Sequence, residues 1–324
     1  MVAFMKKFLM LICLGLILTS AIAADNFPDR PVRIVVPYPP GGFNDTLARV
    51  AGDRLTKIWN QPVLVENRPG GNTLIGNNVV AKSPPDGYTI LITPLPFAAL
   101  PGLYGAKLPY DALKDFQPLI LAGNTQNVLA VRNELPVNNV KELLDYAKKN
   151  PGKLNYGSTG SGSSNHLSME LLMRMTGTRM THVPYKGSAP AVLAIIAGDI
   201  DVLFDNLPNL LQQVKAGKMK AIAVTGSDRA SLLPSLPTVA EAGVPGYEVS
   251  VWFGMQLPAG TPKTLVERMN QDIARVLREP DVVKLFREQG VEVIASSPEV
   301  FGKLVQREVA KWTEVINGAN IKVE

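Results

Sequence analysis

Val32-Arg33-Ile34-Val35-Val36-Pro37-Tyr38-Pro39-Pro40-Gly41-Gly42-Phe43-Asn44-Asp45 is a β-branched run that breaks at a Pro/Gly turn and opens straight into a helical pattern. Leu47, Val50, Ala51 and Leu55 then recur on one helical face. Downstream, Pro62 to Glu66 reads as a second strand and Asn67-Arg68-Pro69-Gly70-Gly71 as a turn. Ile75 to Lys82 reads as a helix, and Tyr88 to Thr93 as a third strand after Pro85-Asp86-Gly87. A β-α-β-α-β order implies a parallel, doubly wound sheet, hence an α/β protein.

The pattern restarts near Gly123. Strands are expected at Val128 to Val131, Leu154 to Ser158, Thr181 to Pro184, Ile200 to Phe204 and Met219 to Thr225. Helices are expected between them, at Val140 to Lys149, Asn165 to Met175, Ala189 to Ala197 and Pro208 to Ala216. Val249 to Gly254 is one more strand. Three helices follow, at Pro262 to Arg278, Pro280 to Gln289 and Pro298 to Ile316. The expectation is two lobes, each a mainly parallel sheet flanked by helices. Residues 24–123 and 253–324 would form the first lobe and residues 124–252 the second, with the terminal helices returning to cover the first.

At 324 residues the chain is long enough for about two domains and a sizeable core. Its 33 basic and 28 acidic residues leave a mild +5 without any dense Lys/Arg stripe. That balance argues against a nucleic-acid partner and fits attraction of small anions. Residues 1–23 read as a secretory signal peptide. Lys6 and Lys7 supply the positive start, Phe8 to Leu18 a short apolar stretch, and Ala21-Ile22-Ala23 the cleavage site. The apolar stretch is short for a spanning helix, which needs about 20 residues. The mature chain is expected to start at Ala24 or Asp25, outside the cytoplasm. The single cysteine, Cys13, lies inside the leader, so no disulfide is expected.

Two turns share one design. The first runs through Gly41 and Gly42 into Phe43-Asn44-Asp45. The second runs from Gly157-Ser158 through Thr159-Gly160-Ser161-Gly162-Ser163-Ser164 into Asn165-His166. Their glycines allow close backbone approach and positive φ. The helix starts behind them offer unpaired N–H groups and the positive dipole end, which together suit an anion. Ligands of open α/β sheets bind at the carboxyl ends of strands, where both turns lie. Plain helix capping is the alternative, by Asn44 or Asp45 in one turn and Ser163 or Ser164 in the other. Neither turn holds Lys or Arg, so a bound anion would rest on backbone N–H groups and hydroxyls.

Catalytic motifs are missing from the sequence: no G-x-S-x-G, no G-x-G-x-x-G and no phosphate-binding loop. His166 and His182 fall on different elements without metal-ligand spacing, so neither a metal nor another cofactor is expected. His166 sits in a first helical turn, and His182 reads as a structural histidine.

Several stretches together carry a family resemblance. They include RPVRIVVPYPPGG (30–42), QPVLVENRPGG (61–71), PDGYTILIT (85–93), PGKLNYGSTGSGSSNHL (151–167), HVPYKGSAPA (182–191), AGDIDVLFDN (197–206), LPTVAEAG (236–243) and WFGMQLPAGTP (252–262). The chain resembles the Bordetella uptake gene family, the extracytoplasmic solute receptors of tripartite tricarboxylate transporters. The resemblance implies a periplasmic binding protein of type II-like, two-lobed form. Such a receptor, a monomer, closes over a small carboxylate and delivers it to membrane permease subunits. It also implies that Tyr38, Gly41, Gly42 and Asp45 in the first turn contact ligand, with Ser158, Gly160, Gly162, Ser163 and His166 in the second. Tyr185 and Asp205 fall where the family lines its cleft. Phe43-Asn44 departs from the small or polar residues usual after Gly-Gly, and Leu100 replaces a common Asn. With Leu95 and Phe97, these residues point to a ligand with an apolar body. The alternatives are a secreted hydrolase or isomerase using Asp45 or Asp205 with His166, and a ligand-sensing partner of a membrane sensor.

Overall fold

A computed structural model describes residues 27–319 and residue 321. The leader, its cleavage site and Cys13 lie outside the described residues. Strand β1 (Val32–Val36) is flanked in parallel by β2 (Val63–Asn67) and β3 (Thr89–Pro94). Helix α1 (Phe43–Trp59) crosses from β1 to β2 and buries Leu47, Ala48, Ala51 and Leu55. It ends at Asn60, whose left-handed φ of 50° closes the helix without glycine. Helix α2 (Leu74–Ala81) makes the second crossover. A 3-10 turn at Leu95–Ala99 and a short helix α3 (Leu100–Tyr104) leave β3.

The next strand, β4 (Phe116–Val131), is far longer than the Val128 to Val131 segment expected. Pro118, Gly123 and Asn124 interrupt its alternation and hide its first half. Register shifts fall at the same places, between Pro118 and Ile120 and between Leu121 and Gly123, so the strand bends there instead of ending. Phe116 to Gln126 pair antiparallel with β9 (Ser250–Pro258), which in turn pairs antiparallel with β3. Asn127 to Val131 pair instead with β7 (Val202–Asn206) and β8 (Lys220–Val224). Strands β5 (Asn155–Ser158) and β6 (Thr181–Pro184) extend that group in parallel with β7.

One hydrogen-bonded path thus runs β2-β1-β3-β9-β4-β7-β5-β6. The parallel arrangement expected from the sequence holds for β2-β1-β3 and β7-β5-β6. The strands joining them are antiparallel, so the sheets are mixed.

Helices α4 (Val140–Lys149), α5 (Ser164–Thr176), α6 (Ser188–Ala197) and α7 (Leu207–Lys215) cover the second strand group. Asn139 caps α4 by accepting the Glu142 N–H, and Glu142 returns a bond to Asn138, a reciprocal start that fixes the helix entry. Helices α8 (Lys263–Leu277) and α9 (Pro280–Glu288) lie against the first group, followed by the short strand β10 (Glu292–Val293). Trp59 at the end of α1 donates to Asp272 of α8 at 2.8 Å. The last helix, α10 (Pro298–Ala319), buries Phe301, Val305 and Trp312 in a cluster shared by both strand groups. Arg174 of α5 ties to Glu314 of α10 at 3.0 Å. Truncating one of those buried rings would cost about 3–5 kcal/mol, so α10 is part of the core and not only a cover.

Candidate ligand-binding cleft

The Val32–Asp45 stretch folds around one carboxylate. Asp45, in the first turn of α1, accepts the Gly41 N–H at 3.1 Å. It also accepts Arg49 Nε at 2.9 Å, Arg49 Nη2 at 3.0 Å and Asn67 Nδ2 at 3.0 Å. Burial pulls the Asp45 pKa up, yet the bonds from Arg49, Asn67 and Gly41 prevail and hold it below the usual carboxylate range. The side chain is 5% exposed and its charge is answered within its own helix. Asp45 is therefore the anchor of the first turn and repels no incoming anion. Gly41 needs its φ of 98°, but Gly42 sits at −88° as the N-cap, so positive φ is required at one of the two.

Phe43 is corrected by the structure. Its ring lies 4.6 Å from Phe253 and 5.0 Å from Phe286, inside the aromatic packing beneath α1. Phe43 is half-buried against that core, and Leu95, Phe97 and Leu100 are fully buried. The apolar rim expected from these residues is core.

The second turn also bonds inward. The Gly160 N–H donates to Ser158 Oγ at 3.0 Å, and Ser158 Oγ lies 2.5 Å from His182 Nε2. The Gly162 N–H donates to His166 Nδ1 at 3.2 Å. Ser163 caps α5 by accepting the His166 N–H, and its own N–H goes to Gly160 O. Capping and turn closure, the alternative left open by the sequence, thus consume the donors of Gly160, Gly162 and Ser163. Asp205 is 1% exposed at the end of β7, where burial pushes its pKa up against bonds to Oδ1 from Asn209 and the Asn206 N–H.

His166 stacks beside His182, with ring centroids 4.3 Å apart, and its Nε2 is 3.8 Å from Glu170 Oε1. Burial, then the neighbouring His182, lowers its pKa to about 3. Such a histidine is neutral when folded and protonates at about 6.5 when unfolded. Its contribution is complete above pH 6.5 and is lost as pH falls toward 3, at up to about 1.4 kcal/mol per pH unit. Glu170 and Asp205, both raised by burial, act in the opposite direction. His166→Gln keeps an acceptor for Gly162 and removes the titration. Thermal melts between pH 7 and 4 should show a flatter fall in Tm for the variant; equal slopes would assign the acid sensitivity elsewhere.

A cleft of about 710 Å³ opens beside the second turn, facing the end of β1. One wall is Pro37, Tyr38 and Pro39 with the Pro69–Thr73 loop, Leu103 and Tyr104. The other is Thr159, Gly160 and Ser161 with Tyr185, Lys186 and Gly187. Of the residues expected at the site, Tyr38, Gly160 and Tyr185 line this cleft. Gly41, Gly42, Asp45, Ser158, Gly162, Ser163, His166 and Asp205 are not among its lining residues. Gly162 nevertheless backs onto Leu103 and Asn72 of the far wall, and Asn72 Nδ2 donates to Ser161 O at 3.0 Å across the gap. A groove of about 870 Å³ between α8 and α10 is larger, but neither Gly-rich turn reaches it.

The Pro69–Thr73 wall escaped the sequence reading, which took Asn67 to Gly71 as a plain turn. Its place at the carboxyl end of β2 was the signal available. Asn72 and Thr73 hold φ of 48° and 83°, and left-handed backbone at a β-branched residue is costly unless its surroundings enforce it. Here Asn77 of α2 donates to Thr73 Oγ1 at 3.0 Å and fixes the loop.

The family model for the tripartite tricarboxylate transporter family receptor matches residues 47–321. The chain belongs to that family. A Pseudomonas sp. protein from the tcbD–tcbE intergenic region is 39% identical over 299 residues, covering 92% of this chain and 89% of its own. Protein BugT of Bordetella pertussis is 32% identical over 308 residues, covering 95% and 94%. An R. palustris protein solved with adipate is 39% identical, with a TM-score of 0.83 over 91% of this chain and 99% of that one. The periplasmic binding protein BugD is 35% identical, with a TM-score of 0.81 over 92% and 100%. These relatives are solute-binding receptors, not enzymes. The hydrolase alternative fails with them, since Asp45 is committed to Arg49 and His166 Nδ1 to Gly162. Among the described residues, no group of His, Cys, Asp and Glu could hold a metal ion, and no helix is long and apolar enough to cross a membrane.

Proposed function

We propose that the mature chain is a periplasmic receptor that captures a small carboxylate between two lobes and delivers it to the permease of a tripartite transporter. One observation carries the reading: a single cleft is walled by loops from both strand groups and bridged by the Asn72–Ser161 bond. Residues 24–123 with 253–324 form one lobe and residues 124–252 the other. The switch of β4 from β9 to β7 and β8 after Gln126 supports that division. A receptor needs no reaction, only ligand contacts that favour the closed arrangement. Export follows from the leader at residues 1–23, and N-terminal sequencing of the exported protein should begin at Ala24 or Asp25.

The test is a thermal-shift screen of carboxylic acids. A ligand at 100 times its Kd stabilises the native state by about 2.7 kcal/mol, a rise of several degrees. If no carboxylate raises Tm, the capture of carboxylates is refuted.

A further inference from the structure

A separate cavity, of about 660 Å³, lies where the two strand groups join and shares no lining residue with the cleft. It straddles the junction. Asn124 of β4 and Trp252 of β9 are partners in the ribbon, and both line it. Leu171 comes from α5, over the second group, while Ile294 follows β10, which pairs with β4 in the first. Helix α10 supplies Leu304, Arg307, Glu308 and Lys311. Their spacing of three and four positions puts them on one helical face.

The lining combines an apolar wall with charges of both signs. Leu121, Leu171, Trp252, Ile294 and Leu304 make the wall. Arg307 and Lys311 are balanced by Glu308 and Glu248. Glu308 is 8% exposed, and its Oε2 accepts Trp312 Nε1 at 2.9 Å and Trp252 Nε1 at 3.3 Å, leaving Oε1 without a bond. Lys311 Nζ donates once, to Glu248 O at 2.7 Å, so two ammonium protons stay available. Burial lowers the pKa of that ammonium, with Glu308 and Glu248 near enough to oppose the shift and Arg307 near enough to add to it. Arg307 is exposed and pairs with no carboxylate among the described residues. A simple anion at the two cations would face Glu308, and a simple amine at Glu308 would face the two cations. A molecule bearing both charges satisfies both sets at once.

We infer that this cavity is a second binding site, for a free α-amino acid with an apolar side chain, and that its occupation biases the closing of the cleft. The carboxylate goes to Arg307 and Lys311, the ammonium to Glu308 Oε1, and the side chain to the wall around Trp252. The occupant touches both strand groups beside the ribbon that joins them, so its affinity differs between lobe arrangements and shifts their balance. The coupling, but not the binding, rests on the receptor reading above.

Titration calorimetry of the mature protein with L-leucine tests the site. Leucine should bind, and Arg307→Ala, at an exposed position, should weaken it by about tenfold or more, the worth of one charge-assisted contact. Neither 4-methylpentanoate nor isoamylamine, each lacking one of the two charges, should displace leucine at equal concentration. The coupling is read from spin labels at Leu64→Cys and Leu193→Cys, exposed positions on the two strand groups. Leucine should shift the distance distribution between the labels. No heat with leucine would overturn the inference and leave the receptor reading standing. Displacement by 4-methylpentanoate alone, or unchanged affinity in Arg307→Ala, would overturn it as well, since leucine would then be held elsewhere as an ordinary carboxylate. Binding without any change in the label distances would overturn the coupling.

Discussion

Gly254→Ala is expected to destabilise the protein by about 3 kcal/mol, the upper part of the usual overpacking range. Gly254 lies in the middle of β9, between Thr93 of β3 and Leu121 of β4. A Cβ there would overlap the outer end of the Phe301 ring, which is fully buried on α10. Neither side can yield easily: β9 is hydrogen-bonded on both edges, and Phe301 packs against Trp252 with ring centroids 5.7 Å apart. The glycine is present because a strand and a helix touch at that point. Urea denaturation of the single variant and of Gly254→Ala/Phe301→Leu would measure the effect. The smaller side chain should recover part of the loss, giving a coupling energy well beyond the few tenths of a kcal/mol seen for independent sites. A wild-type midpoint for the single variant would mean that the helix and the strand do not meet this closely.

Gly162→Ala should reduce affinity for any carboxylate that stabilises the wild type by roughly 100-fold, equivalent to about 2.7 kcal/mol. Its φ of 78° disfavours a side chain by about 1–2 kcal/mol, a cost present with the walls together or apart and therefore read in Tm and not in affinity. The new methyl would also collide with Leu103 and crowd Asn72 on the opposite wall. The second cost exists only while the walls meet, so it opposes ligand capture more than folding. Leu103→Ala in the same chain should return part of the affinity. Gly42 is the control: its φ is negative and nothing lies within 4 Å of an added Cβ. Gly42→Ala should bind like the wild type. If Gly42→Ala and Gly162→Ala lose affinity equally, close approach of the two walls is not what Gly162 provides.

The contrast between those two glycines shows what was legible in the sequence. Both stand in Gly-rich turns at the carboxyl end of a strand, and from spacing alone they are equivalent. Only the opposite wall separates them, and that wall is brought close by the fold, not by anything local to either turn. The order of strands and helices was legible because each is written in short-range periodicity, down to α4 at Val140–Lys149 and β6 at Thr181–Pro184. The first half of β4 was not, because bends at Pro118 and Gly123 break that periodicity. Phe43 was misplaced for a related reason. A ring beside a Gly-Gly turn looks as if it faces outward, but the first residue of α1 points at Phe253 and Phe286, which arrive from more than 200 positions downstream. Tyr38, Gly160 and Tyr185 were found at the cleft; Asn72, Leu103, Tyr104 and Lys186 were not, since no motif marks them.

The pairing of β4 with β9 bears on how such a protein can diversify. The chain leaves the first strand group along β4 and returns along β9, and Asn124 lies opposite Trp252 where it does so. Everything between is an excursion whose two ends are neighbours. Recombination between relatives could exchange that excursion as a cassette, because both junctions sit side by side in one ribbon and need no new geometry. The swap would import one wall, with Thr159–Ser161 and Tyr185–Gly187, and leave Pro37–Pro39 and Pro69–Thr73 untouched. Half of the specificity could then be inherited separately from the other half, and a lineage could sample new solutes without rebuilding its core.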